Sequence, residues 1–125
     1  MEDATSPESL TYWISLGLEK RVAGDYEGAR DAWEYASQIR PKNTLSFHNL
    51  GQLYAYFLKD SVKAELNFKT AIANDPKLSY IYVSFFEFYR DVLKDPEKAK
   101  AILNQGLAVQ GLDNPEVLRA LLENM

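Results

Sequence analysis

Two stretches of the sequence decide the fold: WISLGLEKRVAGDYEGARDAWEYASQIRP, from Trp13 to Pro41, and FHNLGQLYAYFLKDSVKAELNFKTAIANDP, from Phe47 to Pro76. The second repeats the first after about 35 residues. The matching positions are Trp13, Leu16, Gly17, Ala29, Trp33, Ala36 and Pro41, against Phe47, Leu50, Gly51, Ala64, Phe68, Ala71 and Pro76. A fainter copy follows in Tyr82, Phe85, Tyr89, Ala99 and Leu103. A fixed period of this length predicts stacked copies of one small unit, which form an extended surface rather than a catalytic cavity.

The composition is that of one globular domain. The chain has 125 residues, of which 46% are hydrophobic, and this is enough for a core. A net charge of −4 and a pI near 5.0 disfavour binding to nucleic acid. No run approaches the roughly 20 apolar residues of a membrane span, and the acidic N-terminus is unlike a signal peptide. The absence of cysteine excludes disulfides and thiol catalysis and fits the cytoplasm.

Capping signals divide the chain into helices. Four pairs place an N-cap residue before a proline of the first helical turn: Ser6-Pro7, Asp75-Pro76, Asp95-Pro96 and Asn114-Pro115. Gly24-Asp25 closes one helix and opens the next. Together with the apolar spacing, these signals predict seven helices, at about 7–23, 26–39, 44–58, 61–74, 77–93, 96–110 and 115–124. Because every connection is short, neighbouring helices are expected to be antiparallel.

The first two units resemble the tetratricopeptide repeat. That unit is a helix–turn–helix with the pattern W-x2-L-G-x2-Y, then A-x3-F, then P. The first unit follows it except at Lys20, where an aromatic residue is usual, and the second has a turn one residue longer, at 58–61. The resemblance covers about residues 10–76. It implies an all-α, right-handed α-solenoid of three helix-turn-helix repeats with about seven antiparallel helices.

Small residues recur where two helices should meet. Gly17 is in phase with Ala29 and Ala36 of the following helix, so we expect the two helices to approach closely there. Trp13 and Trp33 are expected to fill the larger gaps between hairpins.

The third unit departs from the pattern. Phe86 stands at the glycine position, Gly106 at the alanine position and Gly111 at the proline position. Because a large and a small residue exchange places, we expect Phe86 and Gly106 to compensate for each other in one gap. The aromatic first helix of this unit and the run AKAIL at 99–103 also resemble the half-a-tetratricopeptide repeats of RNA-processing scaffolds.

We predict a single domain over residues 1–125, with repeats at about 10–43, 44–78 and 79–112. The segment at about 115–124 carries an apolar stripe and is expected to cap the stack, since terminal repeats need a polar outer face. The alternative is that further repeats follow.

The first helix of each unit lines the concave face in this family. The resemblance and the helical spacing together place a peptide groove on Thr11, Ile14, Leu18, Arg21, Leu45, His48, Gln52, Tyr56, Tyr80, Val83, Glu87 and Arg90. We expect apolar and aromatic anchors there, with two arginines for acidic groups of a partner. The alternative is a solvated groove without a ligand.

One subclass of the family clamps the carboxylate tails of chaperones with lysine and asparagine pairs. Asn49 stands at one clamp position, but the others hold Ile14, Leu18, Tyr80 and Ser84. A carboxylate clamp needs charge-assisted donors, so this activity is not expected here.

No motif predicts an enzyme. His48 is the only histidine, and no nucleophile elbow, phosphate-binding loop or set of metal ligands is present, so we expect no cofactor and no metal. We predict a non-catalytic, cytoplasmic and monomeric module that binds a protein or peptide segment, as an adaptor or a co-chaperone-like scaffold. The alternatives are a self-associating structural repeat and an RNA-processing scaffold, which the acidic charge disfavours.

Overall fold

The computed structural model describes residue 5 and residues 7–125, and this part of the chain is all helical. The helices are α1 (Leu10–Val22), α2 (Tyr26–Ile39), α3 (Leu45–Tyr56), α4 (Ser61–Asn74), α5 (Ser79–Glu87), α6 (Pro96–Leu107) and α7 (Pro115–Glu123), with a π-helical turn (Phe88–Val92) that continues α5. Contacts are densest within the hairpins α1–α2, α3–α4 and α5–α6, and successive hairpins also contact each other. The chain is therefore an α-solenoid. None of the described helices combines the length and the apolar character that crossing a membrane requires.

Two of the predicted helix starts are wrong. Helix α1 begins at Leu10 rather than at residue 7, because the buried Ser9 is its N-cap and accepts a hydrogen bond from the Thr11 backbone N–H at 3.1 Å. The predicted cap at Ser6 lies outside the described residues. Asp75 ends α4 instead of opening α5, which begins at Ser79.

The three hairpin turns share one backbone device. Gly24, Lys59 and Lys94 lie one period apart and have left-handed φ angles of 82°, 57° and 56°. Each directly precedes an aspartate that caps the next helix. Asp25 accepts a hydrogen bond from the backbone N–H of Gly28, Asp60 from that of Lys63, and Asp95 from that of Lys98. The left-handed residue ends one helix and the aspartate caps the next. Because Lys59 has the place of Gly24, the extra residue expected in the second unit lies before it, where the Leu58 N–H donates to the Leu53 carbonyl at 2.9 Å.

At Gly17 and Gly51, the first helix of the hairpin lies against an aromatic ring of the second helix. A Cβ at Gly17 would lie 2.1 Å from Nε1 of Trp33, and one at Gly51 would lie 2.8 Å from the Phe68 ring. Trp33 is buried and its Nε1 donates to the Ile14 carbonyl at 3.1 Å. The two helices do approach closely at Gly17, as expected, but the side chain that meets the glycine is Trp33, which was expected to fill a gap between hairpins. Each glycine makes room for the large ring of the partner helix.

The proposed exchange of volume between Phe86 and Gly106 is also wrong. The atoms nearest to a Cβ at Gly106 belong to Leu118, at 2.6 Å, and to Tyr82, at 2.9 Å. Leu118 is fully buried and lies on α7. Gly106 is therefore small so that α7 can pack against the third hairpin.

The π-helical turn at the end of α5 has no signature that we recognised in the sequence. Its widened ladder includes a hydrogen bond from the Leu93 N–H to the Phe88 carbonyl at 3.1 Å. The consecutive residues Phe88 and Tyr89 are both buried. The Phe88 ring lies 5.7 Å from the Phe68 ring, and the Tyr89 ring stacks on Phe85 at 4.5 Å. The turn therefore allows two consecutive aromatic rings to pack in the core.

Candidate functional site

The predicted groove residues all lie on α1, α3 and the α5 helix with its π-helical turn. They differ in accessibility. The exposed members are Thr11, Leu18, Leu45, Tyr56, Tyr80 and Arg90, the half-buried members are Ile14, Arg21, Gln52, Val83 and Glu87, and His48 is buried. Leu18, Arg21, Gln52 and Tyr56 line an open cleft, and His48, Gln52 and Tyr80 form a closed polar cluster with Ser84. The remaining predicted residues belong to neither: Thr11, Ile14, Leu45, Val83, Glu87 and Arg90.

The open cleft lies between α1 and α3 and has a volume of about 290 Å³. We call it the α1–α3 cleft. Four of the predicted groove residues line it: Leu18, Arg21, Gln52 and Tyr56. The other four lining residues were not assigned to the groove from the sequence: Trp33, Asn49, Leu53 and Phe57. Trp33 and Leu53 are buried and form the floor, whereas Leu18, Tyr56 and Phe57 are exposed at the mouth.

Apolar surface continues from the mouth of this cleft towards the first hairpin turn. Phe57 stacks on Tyr26 of α2, with ring centroids 4.5 Å apart and planes 28° apart. Val22, at the end of α1, is 76% exposed. The only sequence signal for Phe57 was its place directly after Tyr56, which the predicted α3 helix included as ordinary helix.

The two arginines of the predicted groove differ in their availability. Arg90 is held by Asp91, with Nε 2.7 Å from Oδ1 and Nη2 2.9 Å from Oδ2, and it lies 5.0 Å above the Phe86 ring. This pairing raises the pKa of Arg90 and lowers the pKa of Asp91. Arg21 makes no side-chain hydrogen bond or ion pair with the residues that the structure describes. A carboxylate on a partner would displace an internal ion pair at Arg90 but not at Arg21.

The closed cluster joins α3 to α5. His48 Nε2 lies 2.7 Å from Ser84 Oγ, and Gln52 Nε2 donates to the same oxygen at 3.3 Å. The Tyr80 ring meets the His48 ring edge-on, with centroids 4.9 Å apart. Burial lowers the pKa of His48 to about 4, so the imidazole is neutral at pH 7. His48 therefore acts as a neutral hydrogen-bonding bridge between the second and third units.

Burial also raises the pKa of the phenols of Tyr56 and Tyr80, which both stay protonated near neutral pH. In the described part of the chain, no three histidine, aspartate or glutamate side chains converge as metal ligands would. What the groove offers is aromatic area, amide and hydroxyl groups and one unpaired guanidinium.

Comparison with solved structures shows a structural likeness to PilW. No protein-family model matches the chain, and no curated protein matches it. The fold is similar to that of PilW. The crystal structure of PilW, a widely conserved type IV pilus biogenesis factor, superposes with a TM-score of 0.73 at 25% sequence identity. The match covers 90% of this chain and 51% of PilW, so this chain spans about half the length of PilW. The likeness supports a tetratricopeptide-like helical-repeat fold.

Proposed function

We propose that this protein is a non-catalytic protein-interaction scaffold that binds a segment of a partner protein in its concave groove, anchored at the α1–α3 cleft. The observation that carries the proposal is the open cleft itself. Aromatic mouth residues, Tyr56 and Phe57, lie beside Arg21, whose guanidinium has no internal partner among the described residues. Tyrosine and arginine are the residue types most enriched at binding hot spots.

The shape of the cleft defines the partner chemistry. A volume of about 290 Å³ with an apolar floor accepts a single large apolar side chain. Arg21 at the wall would pair with a carboxylate on a neighbouring residue of the same segment. The groove continues past the closed cluster to Tyr80, which is 42% exposed and offers a second aromatic contact. The proposed partner segment therefore carries an apolar or aromatic residue close to an acidic one.

Selection from a random peptide library displayed on phage tests this proposal. Peptides that bind the immobilised protein should share an acidic residue within a few positions of a large apolar one. Tyr56→Ala and Arg21→Ala should each weaken the selected peptides, by about tenfold or more for the tyrosine. Tyr35→Ala is the matched control, because Tyr35 is 42% exposed on α2 and packs on Trp13 away from the cleft.

Binding that Tyr56→Ala and Arg21→Ala leave unchanged would place the interaction surface elsewhere. Failure to enrich any peptide would contradict a peptide-binding groove. The protein measured alone should be monomeric by light scattering, because the proposed role does not depend on self-association. A stable dimer or higher oligomer would favour the structural alternative.

The similarity to PilW supports a more specific version of the proposal. We propose that the partner belongs to an assembly system for a surface filament, as expected of a pilus biogenesis factor. Deleting the gene in its native host should then reduce the number of surface pili seen by electron microscopy. Wild-type protein should restore them, and Tyr56→Ala should not. Unchanged piliation in the deletion strain would reject this version and leave the general binding proposal standing.

A further inference from the structure

A second cleft lies on the side of the second helices, between α4 and α6. It has a volume of about 380 Å³, and we call it the back cleft. Its lining is apolar with a polar rim: Ile72, Ala73, Phe85, Tyr89 and Ile102, with Lys69 and Gln105. A smaller hollow of about 210 Å³ continues from it past Glu65 and Lys98. The back cleft shares no residue with the α1–α3 cleft.

The internal repeat provides a control for this lining. The positions one period earlier belong to the gap between α2 and α4, and they are polar where the back cleft is apolar. Ser37 corresponds to Ile72, Gln38 to Ala73 and Asn67 to Ile102. At the mouth the change is in size, because the exposed Leu66 corresponds to Ala101. At these positions the second gap thus carries more apolar side chains than the first, and a smaller one at its mouth.

Polar side chains occupy the corresponding positions of the first gap. In the first gap the polar side chains bond to carbonyls of their own helix. Ser37 donates to the Glu34 carbonyl at 2.6 Å, and Asn67 donates to the Lys63 carbonyl at 2.8 Å. Polar residues at these positions are therefore compatible with the stacking of hairpins. Ile72 and Ile102 are 7% and 5% exposed and belong to the core, so the back cleft is a hollow whose floor is the apolar core itself.

The charges also change between the two gaps. In the first, the buried Tyr54 hydroxyl bonds to Glu34. In the second, Tyr89 donates instead to Glu65 at 2.6 Å, one helical turn earlier on α4. The third unit therefore needs no carboxylate at the position that corresponds to Glu34, and this position is occupied by Lys69.

Two ammonium groups consequently border the back cleft. Lys69 and Lys98 make no ion pair within the described part of the chain, and Lys98 lies 5.9 Å from the Tyr89 ring. The one carboxylate at the border, Glu65, is engaged by the Tyr89 hydroxyl. The border is therefore positively charged on a protein whose net charge is −4, and it complements an anionic group.

We infer that the back cleft is a second docking site, for a segment of a partner protein in which a large apolar side chain is followed by an acidic residue. The apolar side chain occupies the hollow above Phe85 and Tyr89, and the carboxylate lies between Lys69 and Lys98. The volume is within the range of clefts that hold small ligands or single anchoring side chains. This site is separate from the groove of the proposed function and does not depend on it.

The test uses the dipeptide acetyl-Phe-Glu-amide as a probe, followed by NMR of the ¹⁵N-labelled full chain. We expect saturable shifts of the amides of Ile72, Ala73 and Ile102, with a dissociation constant in the range of about 1–10 mM. Acetyl-Phe-Lys-amide is the charge-reversed control and should bind at least about threefold more weakly.

Two variants give positions of the back cleft the residues that stand at the corresponding positions of the first gap, Glu34 and Asn67. Lys69→Glu should weaken the acidic probe at least about threefold without affecting the fold, because Lys69 is exposed. Ile102→Asn should abolish the shifts, and its melting temperature reports whether the fold persists. Arg21→Ala should change nothing at this site.

The inference is overturned by absent shifts up to about 10 mM, by equal binding of the two dipeptides, or by unchanged affinity in Lys69→Glu. Shifts confined to the α1–α3 cleft and removed by Arg21→Ala would also overturn it, while supporting the proposed function.

Discussion

Replacing Gly17 with alanine should destabilise the protein, although alanine is the better helix former. The new Cβ would lie 2.1 Å from Nε1 of Trp33 and 2.5 Å from Cε2. Trp33 is 2% exposed, and the space open to the indole is the α1–α3 cleft, whose floor it forms. Its Nε1 also donates to the Ile14 carbonyl at 3.1 Å, and this hydrogen bond is lost if the ring moves. The strain is therefore shared by the ring and by the spacing of α1 and α2.

The expected size follows from two opposing effects. Overpacking of a core costs about 1–3 kcal/mol. The gain in helix propensity from glycine to alanine offsets nearly 1 kcal/mol of that. Because a Cβ 2.1 Å from Nε1 is far inside van der Waals contact, the cost should lie at the upper end of that range, and the net cost for Gly17→Ala should be about 2 kcal/mol. Gly51→Ala is the matched comparison, because its Cβ would lie 2.8 Å from the Phe68 ring, and it should cost less than about 1 kcal/mol.

Urea denaturation followed by far-ultraviolet circular dichroism measures both changes in the free energy of unfolding. The slope with urea should stay the same in all three proteins, which shows that the midpoints report stability. Trp33→Phe should make Gly17→Ala less costly, since phenylalanine is the ring that Gly51 faces in the second unit. A Gly17→Ala protein as stable as the wild type, or less destabilised than Gly51→Ala, would refute the close contact between Gly17 and the Trp33 ring.

Three further outcomes are expected. Folding lowers the pKa of His48 from 6.5 to about 4, so the unfolded state binds the proton more readily. The contribution of His48 to stability should therefore be complete above pH 6.5 and should be lost as the pH falls to 4, by about 3 kcal/mol at most. The free energy of unfolding measured against pH should decline less steeply in His48→Gln. Gly106→Ala should lower the free energy of unfolding, and Leu118→Ala should relieve part of that loss in a double-mutant cycle, in which zero coupling would contradict the contact. A chain ending at Gly111 should aggregate or dimerise in light scattering, because it lacks Leu118 of the proposed cap; an unchanged monomer with the same melting temperature would exclude capping.

The repeated architecture can be predicted from the amino-acid sequence alone. The period, the aromatic and glycine positions and the caps at Asp25 and Asp95 act within one unit, so their meaning is local and survives without knowledge of the neighbours. All seven helices were placed from such signals. The sequence also placed four of the α1–α3 cleft residues, Leu18, Arg21, Gln52 and Tyr56, because helical spacing fixes which residues share a face.

What those helix faces contact depends on the packing of the hairpins. The start of α5 at Ser79 is set by Asp113, whose carboxylate accepts the Ser79 N–H at 2.9 Å and whose pKa this bond lowers. The burial of His48, the pairing of Arg90 with Asp91 and the openness of the two clefts likewise depend on where backbones and side chains come to rest. A sequence pattern gives the chemical type and direction of a side chain. The space beside it is set by residues that are distant in the chain, and their positions exist only once the hairpins have stacked.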